Sequence, residues 1–329
     1  MAFKEIVGQQ KAIDFFRSSV ENKRLAHAYL FLGPQGIGKT LLAKNLAKFV
    51  NCTQPVKGEN HEADCCDQCI SCRKIEDSNH PDVLWIEPGK SAKISIDRIR
   101  ALQREISLTP YEGRWKIFII LEAQLMTEEA ANSLLKTLEE PPSSSLIILT
   151  STGTSSLLPT IISRCQIVKF SLIAQQRLEE ILTQRCNKAT NVHFLAAQAE
   201  GRIGRALELA DQDILDKKNR LIEQICQSRR SSSVADTFEV KNKRELANQI
   251  RYLLNWFRDI LVLKAGLASS FAINADRIEQ IKLRANVLSL SELEQVIEKI
   301  DQAHRLIRQN VNPKIALEVM IGEIEKCKK

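Results

Sequence analysis

The feature that most constrains the fold of this chain is a glycine-rich segment between two apolar stretches. The segment runs from Gly33 to Thr40, reads GPQGIGKT and matches the pattern G-x-x-x-x-G-K-[ST]. The apolar run YLFL precedes it and predicts a strand, while LLAKNLAK follows it with helical spacing. A strand, a glycine-rich loop and a helix in this order predict a P-loop at the start of an α/β fold.

The residues of this loop have the chemistry that a bound polyphosphate requires. Gly33, Gly36 and Gly38 let backbone N–H groups surround the phosphates, and the start of the helix adds partial positive charge. In such a loop Lys39 reaches the β- and γ-phosphates, and the Thr40 hydroxyl binds Mg²⁺. A glycine-rich turn without a ligand is the alternative interpretation. Because the strand and the helix are both present, we predict a nucleotide site.

A cluster of cysteines follows the predicted P-loop helix. Four of its members have a spacing typical of metal ligands: Cys52, Cys66, Cys69 and Cys72. The last three form a C-x₂-C-x₂-C run, and four thiolates suit tetrahedral Zn²⁺. Such an ion would be structural, because the polar, loop-like segment around it has too few apolar residues to fold by itself. Cys65 and His61 are alternatives to Cys52 as the fourth ligand. Reduced surface thiols without a metal are the alternative to a zinc site.

The rest of the first half alternates between apolar runs and helical patterns. Ile117–Leu121 and Leu146–Leu149 are continuous apolar runs, which are typical of strands buried on both faces. Between them, Thr127 has the position of a helix N-cap, and Pro141 ends the helical pattern. Strands that alternate with helices predict a parallel, doubly wound sheet. Beyond Leu172 helical periodicity dominates and predicts helical domains.

Composition and charge limit the classes of function. Of the 329 residues, 44% are hydrophobic and 26% are charged, and the apolar runs are too short to span a membrane. The first residues lack an apolar signal core, so we expect a cytoplasmic protein without membrane contact. The cysteines outside the cluster are scattered singly, which is typical of reduced thiols. A net charge of +7, spread along the chain, permits contact with nucleic acid without requiring it.

Several motifs occur together in an order that is highly specific. They are VGQ at 7–9, HAYLF at 27–31, the cysteine cluster, HPDV at 80–83, IDRIR at 96–100, NSLLKTLEEPP at 132–142, LPTIISRC at 158–165 and NPK at 312–314. With these motifs the chain resembles the clamp-loader family of AAA+ proteins, nearly from end to end. Within that family it is most similar to the delta-prime type of bacterial DNA polymerase III subunit.

The resemblance implies an architecture of three domains. They are an AAA+ nucleotide-binding domain at 1–170 with a zinc module at 52–72, a small helical lid domain at 171–210, and an all-α collar domain for oligomerisation at 211–329. The resemblance also implies the partners: gamma/tau and delta subunits in a hetero-pentamer, the sliding clamp that the assembly loads, and primer–template DNA. Such an assembly would be cytoplasmic and associated with the nucleoid.

The family also has a characteristic arginine. Its members project the arginine of a Ser-Arg-Cys motif into the ATP site of a neighbouring subunit, where it acts on charge developing at the γ-phosphate. In this chain the matching residue is Arg164. A structural arginine that closes a helix is the alternative interpretation.

Two positions depart from the pattern of the family's ATP-hydrolysing members. Those members place an Asp for Mg²⁺ before a Glu that activates water, whereas this chain has Leu121 before Glu122. Glu122 is therefore only a vestigial candidate for catalysis. The hydroxyl expected on the next strand is present at Ser151 or Thr152, but the arginine expected in the lid aligns with Gly204.

These departures favour a stator whose own ATPase activity is weak or absent and which supplies Arg164 to a neighbouring ATPase subunit. The second hypothesis is a gamma/tau-type motor subunit of the same assembly, which hydrolyses ATP. A zinc-bearing, nucleic-acid-binding regulator with a vestigial P-loop is the third. It predicts tight, salt-dependent DNA binding by the monomer, and the evenly spread charge disfavours it.

Overall fold

The computed structural model describes most of the chain. The described residues are 2–57, 63–89, 91–185, 192–210, 214–227, 238, 242–309 and 312–326. They fall into two compact units: Met1–Leu178 with Ala199–Arg205, and Glu179–Gln198 with Ala206–Lys329. The finer division into three domains, at residues 170 and 210, stays a prediction.

A five-stranded parallel sheet is the centre of the first unit. The strands in chain order are β1 (Ala28–Leu32), β2 (Val56–Lys57), β3 (Ala63–Asp64), β4 (Val83–Ile86), β5 (Lys116–Ile120), β6 (Ser145–Ser151) and β7 (Gln166–Lys169). The sheet has the order β4, β5, β6, β1, β7, and every neighbouring pair is parallel. Strands β2 and β3 form a separate antiparallel hairpin. The parallel sheet predicted from the sequence is confirmed.

Helices occupy most of the remaining described residues. They are α1 (Gln10–Glu21), α2 (Lys39–Asn51), α3 (Ile70–Glu76), α4 (Ile96–Ile106), α5 (Glu128–Glu139), α6 (Pro159–Ile162), α7 (Gln175–Arg185), α8 (Val192–Ala199), α9 (Ile203–Ala210), α10 (Ile214–Gln227), α11 (Lys243–Lys264), α12 (Ile278–Val287), α13 (Leu290–Arg308) and α14 (Pro313–Lys326). Short 3₁₀ helices lie at Ala2–Glu5, Ala123–Leu125, Ser269–Phe271 and Ala275–Arg277. The predicted limits of α5 are confirmed, since the Thr127 hydroxyl accepts the Ala130 N–H at 3.3 Å and the helix ends before Pro141.

The sheet has a hydrophobic core on each face. Within β1, Tyr29 and Phe31 belong to one core and Leu30 belongs to the other, as the alternation of side chains along a strand requires. Helices α1 and α2 contribute to the first core, and helices α4, α5 and α6 contribute to the second. Every residue of β1, β5 and β6 is buried, which explains why these strands are nearly continuous apolar runs.

The described part of the second unit is helical, as the periodicity predicts. The apolar stripes of α11 and α13 are buried, with Ile250, Leu253, Leu293 and Val296 all fully enclosed. Ser289 begins α13 with a capping box to the third residue of the helix. Among the described helices, none combines the length and the apolar content that crossing a bilayer requires.

Candidate functional site

The P-loop joins strand β1 to helix α2, as the sequence predicts. Gly36 and Gly38 have φ angles of +79° and +106°, a left-handed region in which a side chain would be strained. The N–H of Gly33 donates to the carbonyl of Ser151 at 3.1 Å, which fixes the start of the loop to strand β6. Helix α2 begins directly after Gly38, so its free N–H groups lie at the loop. The positions predicted to hold a polyphosphate therefore lie together.

The side chain of Lys39 is bound to the loop itself. Its Nζ donates to the carbonyl of Gly33 at 2.5 Å and to the carbonyl of Pro34 at 2.9 Å. Only 8% of the residue is exposed, and this burial lowers the pKa of Lys39 to about 8, although the carboxylate of Glu122 acts in the opposite direction. A phosphate chain therefore has to compete with two loop carbonyls for this ammonium group.

A groove of about 610 Å³ opens beside Thr40, the predicted Mg²⁺ ligand. Lys44, Trp85 and Leu121 contribute to its walls. A leucine offers no oxygen to a metal ion, and Mg²⁺ requires oxygen ligands in an octahedral arrangement. The wall next to Thr40 is thus apolar at the position where the hydrolysing members of the family have an acid.

Glu122 follows strand β5 and approaches the loop. Its backbone has a φ of +52°, and its N–H donates to the hydroxyl of Thr150 at 3.0 Å. The side-chain amide of Gln35, in the P-loop, donates to the Glu122 carboxylate at 3.5 Å. The structure therefore brings this predicted acid to the loop, in a left-handed backbone conformation that the neighbouring strand holds.

A third hydroxyl, next to the candidates Ser151 and Thr152, contacts Glu122. Ser151 donates its hydroxyl to the carbonyl of Gly153 at 2.6 Å, and Thr152 is exposed. Thr150 makes the contact instead, because the parallel register of β5 and β6 places it beside the end of β5. A hydroxyl at the end of the strand is the signal that could have included Thr150 among the candidates.

Gly204 contacts the P-loop directly. Its N–H donates to the carbonyl of Gly36 at 2.8 Å, and a Cβ added to Gly204 would lie 2.9 Å from that oxygen. A Cβ added to Gly36 would lie 3.1 Å from the backbone nitrogen of Arg205. The start of helix α9 thus packs against the loop backbone too closely for a side chain at either glycine. Gly204 stands where the hydrolysing members of the family have an arginine. In this chain it also has a packing role, because only a glycine fits at this contact.

Arg164 follows the short helix α6, and its side chain is 34% exposed. Its Nη1 donates to the carbonyl of Thr160 at 3.1 Å and to the hydroxyl of Ser163 at 3.4 Å. Its Nη2 pairs with the carboxylate of Glu139 at the end of α5. These contacts close the end of α6, as the structural interpretation of this arginine predicts, and they leave part of the side chain open to solvent.

The four predicted zinc ligands converge on one point. The Sγ atoms of Cys52, Cys66, Cys69 and Cys72 all lie within 4.8 Å of one another. Cys52 Sγ is 3.6 Å from Cys66 Sγ and 4.0 Å from Cys69 Sγ. A tetrahedral ion with Zn–S bonds of about 2.3 Å spaces its sulfurs about 3.8 Å apart. The four sulfurs are therefore close enough together to hold one zinc ion.

Backbone groups around the cluster favour negative charge on sulfur. The N–H of Cys69 donates to Cys66 Sγ at 3.2 Å, and the N–H of Cys72 donates to Cys69 Sγ at 3.4 Å. Burial alone would raise the pKa of Cys69, but hydrogen bonds from Thr53 and Cys72 outweigh it and lower that pKa to about 6. By contrast, burial raises the pKa of Cys52, and a hydrogen bond with Cys65 together with burial raises the pKa of Cys72, so without a metal the negative charge is concentrated on Cys69. Because a metal binds thiolates rather than thiols, these contacts fit the chemistry of a zinc site.

The alternative ligands and the local fold differ in part from expectation. Cys65 is buried beside the cluster, with its Sγ 3.5 Å from the Asp67 carboxylate, and it is not among the four converging cysteines. His61 lies outside the described residues. The sequence predicts a loop here, but Cys69 caps helix α3 and Cys72 lies in its first turn.

Ion pairs, which sequence reasoning missed, connect the cysteine cluster to the P-loop helix. Cys52 is the C-cap of α2, and Lys48 in the last turn of α2 is only 5% exposed. Its Nζ pairs with Asp67, between two of the cysteines, at 3.0 Å, and also with Glu76 of α3. Burial would lower the pKa of Lys48, but the two carboxylates outweigh it and raise that pKa. The P-loop and the cysteine cluster therefore lie at opposite ends of one helix.

The parallel sheet, with a glycine-rich loop between β1 and α2, defines the class of the first unit as a P-loop α/β fold. A family model described as "DNA polymerase III, delta subunit" matches residues 8–174. A second, described as "DNA polymerase III, delta subunit, C terminal", matches residues 212–326. The chain belongs to the clamp-loader family of DNA polymerase III subunits.

Relatives of two types match the chain. The delta-prime subunit of Bacillus subtilis is 31% identical over 323 residues, which cover 95% of this chain and 95% of that protein. The tau subunit of the same organism is 29% identical over 355 residues, which cover 98% of this chain but 61% of that protein. A solved structure of a gamma subunit-related protein from Thermotoga maritima is 19% identical, covers 96% of this chain and 99% of its own, and has a TM-score of 0.49.

Proposed function

We propose that the protein is a delta-prime-like subunit of the DNA polymerase III clamp loader, which loads the sliding clamp onto primed DNA during replication. In this role it is a stator that assembles with gamma/tau-type and delta-type subunits in a hetero-pentamer. It supplies Arg164 to the ATP site of a neighbouring subunit. Its own P-loop binds nucleotide with little or no hydrolysis.

Relatives of both types support a place in the clamp loader. The alignment with the delta-prime subunit has 31% identity and covers 95% of that protein, and the alignment with the tau subunit has 29% identity and covers 61% of that protein. Because the chain spans less than two thirds of tau, the activity of the whole tau protein is a weak guide to this chain.

The residue after strand β5 is the single observation that carries the stator role. Leu121 occupies the position that needs an acid, its N–H donates to the carbonyl of Ile86 at 2.8 Å, and its side chain packs against the apolar core. Hydrolysis in this class depends on a metal ion that an acid organises beside Thr40. With a leucine there, Glu122 has no organised metal and substrate on which to act.

Two further features support the proposed assembly. The partly exposed guanidinium of Arg164 carries the permanent positive charge that an arginine finger brings to a γ-phosphate. The converging cysteines supply a site for a structural Zn²⁺ that would stabilise the segment between α2 and β4. Contacts with the clamp and with primer–template DNA, close to the nucleoid, belong to the whole assembly.

Reconstitution of the clamp loader with Arg164→Ala tests the proposal. We expect the complex to assemble and its DNA-stimulated ATP turnover to fall about 10³-fold, the range for loss of an arginine finger, and clamp loading to fall with it. Arg24→Ala, which removes an exposed arginine from the segment before strand β1, is the matched control. Unchanged turnover with Arg164→Ala would refute the trans role.

The P-loop sequence and the 29% identity with tau over 98% of this chain favour a second candidate function, a gamma/tau-type ATP-hydrolysing motor. ATP turnover by the isolated chain separates the two candidates. Brisk turnover that Glu122→Gln abolishes would establish the motor. Turnover at the background rate, unchanged by Glu122→Gln, is the result that the stator role predicts.

A further inference from the structure

Glu139, the last residue of helix α5, has a role that the clamp-loader function does not assign. We propose that Glu139 is a positioning residue for Arg164. Its carboxylate holds the guanidinium in one orientation. The remaining N–H groups are therefore already oriented when they bind the phosphate of a neighbouring subunit. This inference rests on the proposed trans role of Arg164.

The contacts of Arg164 are compatible with simultaneous binding of a phosphate. An arginine has five N–H donors. Among the described residues, Nη1 donates to Thr160 and Ser163, and Nη2 donates to Glu139. Nε and the second hydrogen of Nη2 have no partner in this part of the chain. Glu139 can therefore hold one side of the guanidinium while the other side donates to an anion.

The position of Glu139 is unfavourable for the helix that contains it. The C-terminal end of a helix carries partial negative charge, so an acid there is destabilising unless a cation compensates it. Arg164 supplies that cation from a different element, 25 residues further along the chain. The neighbouring acid, Glu140, is exposed and has no such pair with any residue that the structure describes. This difference makes Glu140 a matched control.

The support for the carboxylate is rigid. Helix α5 begins at the Thr127 cap, and its residues Leu134 and Leu138 are buried in the second core of the sheet. Arginine loses much side-chain freedom when it binds, and a partner on a rigid element removes that loss in advance. Prior fixation of a charged group is also how enzymes stabilise charge that develops in a transition state.

The pair is too exposed to contribute much to folding. The side chains of Arg164 and Glu139 are 34% and 49% exposed, and ion pairs of this kind have a small effect on stability. Variants of Glu139 are therefore expected to fold and assemble. Their effect on catalysis can then be measured in the complete clamp loader.

The test is ATP turnover by the reconstituted clamp loader containing Glu139→Ala. We expect kcat to fall about two- to fivefold, the range that corresponds to an exposed ion pair, with the KM for ATP nearly unchanged. Glu139→Gln, which keeps a hydrogen-bond acceptor, should restore part of the loss. Glu140→Ala should behave as the wild type.

A double variant separates positioning from other effects. If Glu139 acts through Arg164, Glu139→Ala causes no further loss in a complex that already contains Arg164→Ala. An equal loss in both backgrounds, a kcat unchanged by Glu139→Ala, or a kcat raised by it would each overturn the inference. If Arg164→Ala alone leaves turnover unchanged, the trans role itself fails, and the positioning role fails with it.

Discussion

The two ends of helix α2 contain the P-loop and the cysteine cluster, which differ in how their polar groups are satisfied. At the N-terminus, Lys39 donates to carbonyls of its own loop, and Gly36 accepts the N–H of Gly204. At the C-terminus, Cys52 joins three other cysteines whose sulfurs approach one another and backbone N–H groups. The polar groups of the P-loop are thus bonded to other groups of the protein, whereas the four sulfurs of the cysteine cluster are close enough together to hold one metal ion.

The comparison shows that a complete sequence motif is not the same as a complete binding site. The P-loop matches its sequence pattern fully, yet its lysine is engaged and the acid that should organise a metal is Leu121. The cysteine pattern is incomplete along the chain, because Cys52 lies 14 residues before Cys66, yet the four sulfurs converge. Chemical function depends on which groups the fold leaves available, and a local pattern reports only which groups are present.

Loss of the metal is the largest expected effect and tests the cysteine end of the helix. We expect the purified protein to contain one equivalent of zinc and Cys69→Ser to contain none, with a lower temperature of unfolding. Structural zinc sites contribute about 10–16 kcal/mol in small peptides, and part of that should appear here. Metal analysis and thermal denaturation are the measurements.

Cys65→Ala is the control for the ligand set, since Cys65 lies beside the cluster without belonging to it. It should keep its zinc, whereas Cys52→Ala should lose it. The reverse result would show that Cys65 is the fourth ligand.

Substitution of Gly204 tests the close packing of helix α9 against the P-loop. A methyl group at this residue would lie 2.9 Å from the Gly36 carbonyl, so we expect Gly204→Ala to lower the free energy of unfolding by about 1–3 kcal/mol. Urea denaturation measures the change. The matched control is Gly322→Ala in helix α14, where an added Cβ meets nothing within 4 Å. That variant should be neutral or more stable by up to about 1 kcal/mol, and equal effects of the two variants would contradict the close packing.

The ion pairs at the cysteine end give a smaller effect. Lys48→Met leaves Asp67 and Glu76 without their shared, buried cation, and we expect a loss of about 1–2 kcal/mol in the free energy of unfolding. Lys44→Met, which removes a more exposed lysine that pairs with Glu76, is the control and should cost less. A comparable loss for the two variants would indicate that burial of Lys48 adds nothing to its ion pairs.

The pH dependence of nucleotide binding tests the P-loop end with the smallest expected effect. Burial lowers the pKa of Lys39 to about 8, so its amine is charged below that pH and becomes neutral above it. A polyphosphate prefers the charged form, and affinity should therefore fall about tenfold from pH 7 to pH 9, about 1.4 kcal/mol. Titration with a fluorescent ATP analogue measures it.

The control for this titration is Lys39→Arg, whose guanidinium stays charged over the whole range. Its affinity should be independent of pH between 7 and 9. A wild-type protein that binds no analogue at pH 7 would show instead that the loop is a structural remnant.

Much of the fold and part of the candidate sites follow from the sequence. The apolar run at Ile117–Leu121 predicts a buried strand because a strand enclosed on both faces has no polar side. The Thr127 cap and the P-loop between strand and helix follow from local hydrogen bonding and backbone freedom. The full length of the family match was likewise expected from the motifs and is confirmed. The roles of Arg164 and of the cysteine cluster stay predictions.

Most of the elements, their alternation and the residue types at the loop can be predicted from the sequence, because these depend on neighbours within a few positions along the chain. Three contacts are visible only in the folded molecule: Thr150 with Glu122, Gly204 with Gly36, and Glu139 with Arg164. Each of these contacts joins residues at least 25 positions apart. Strand register and helix packing set such contacts, and neither is encoded in a local pattern.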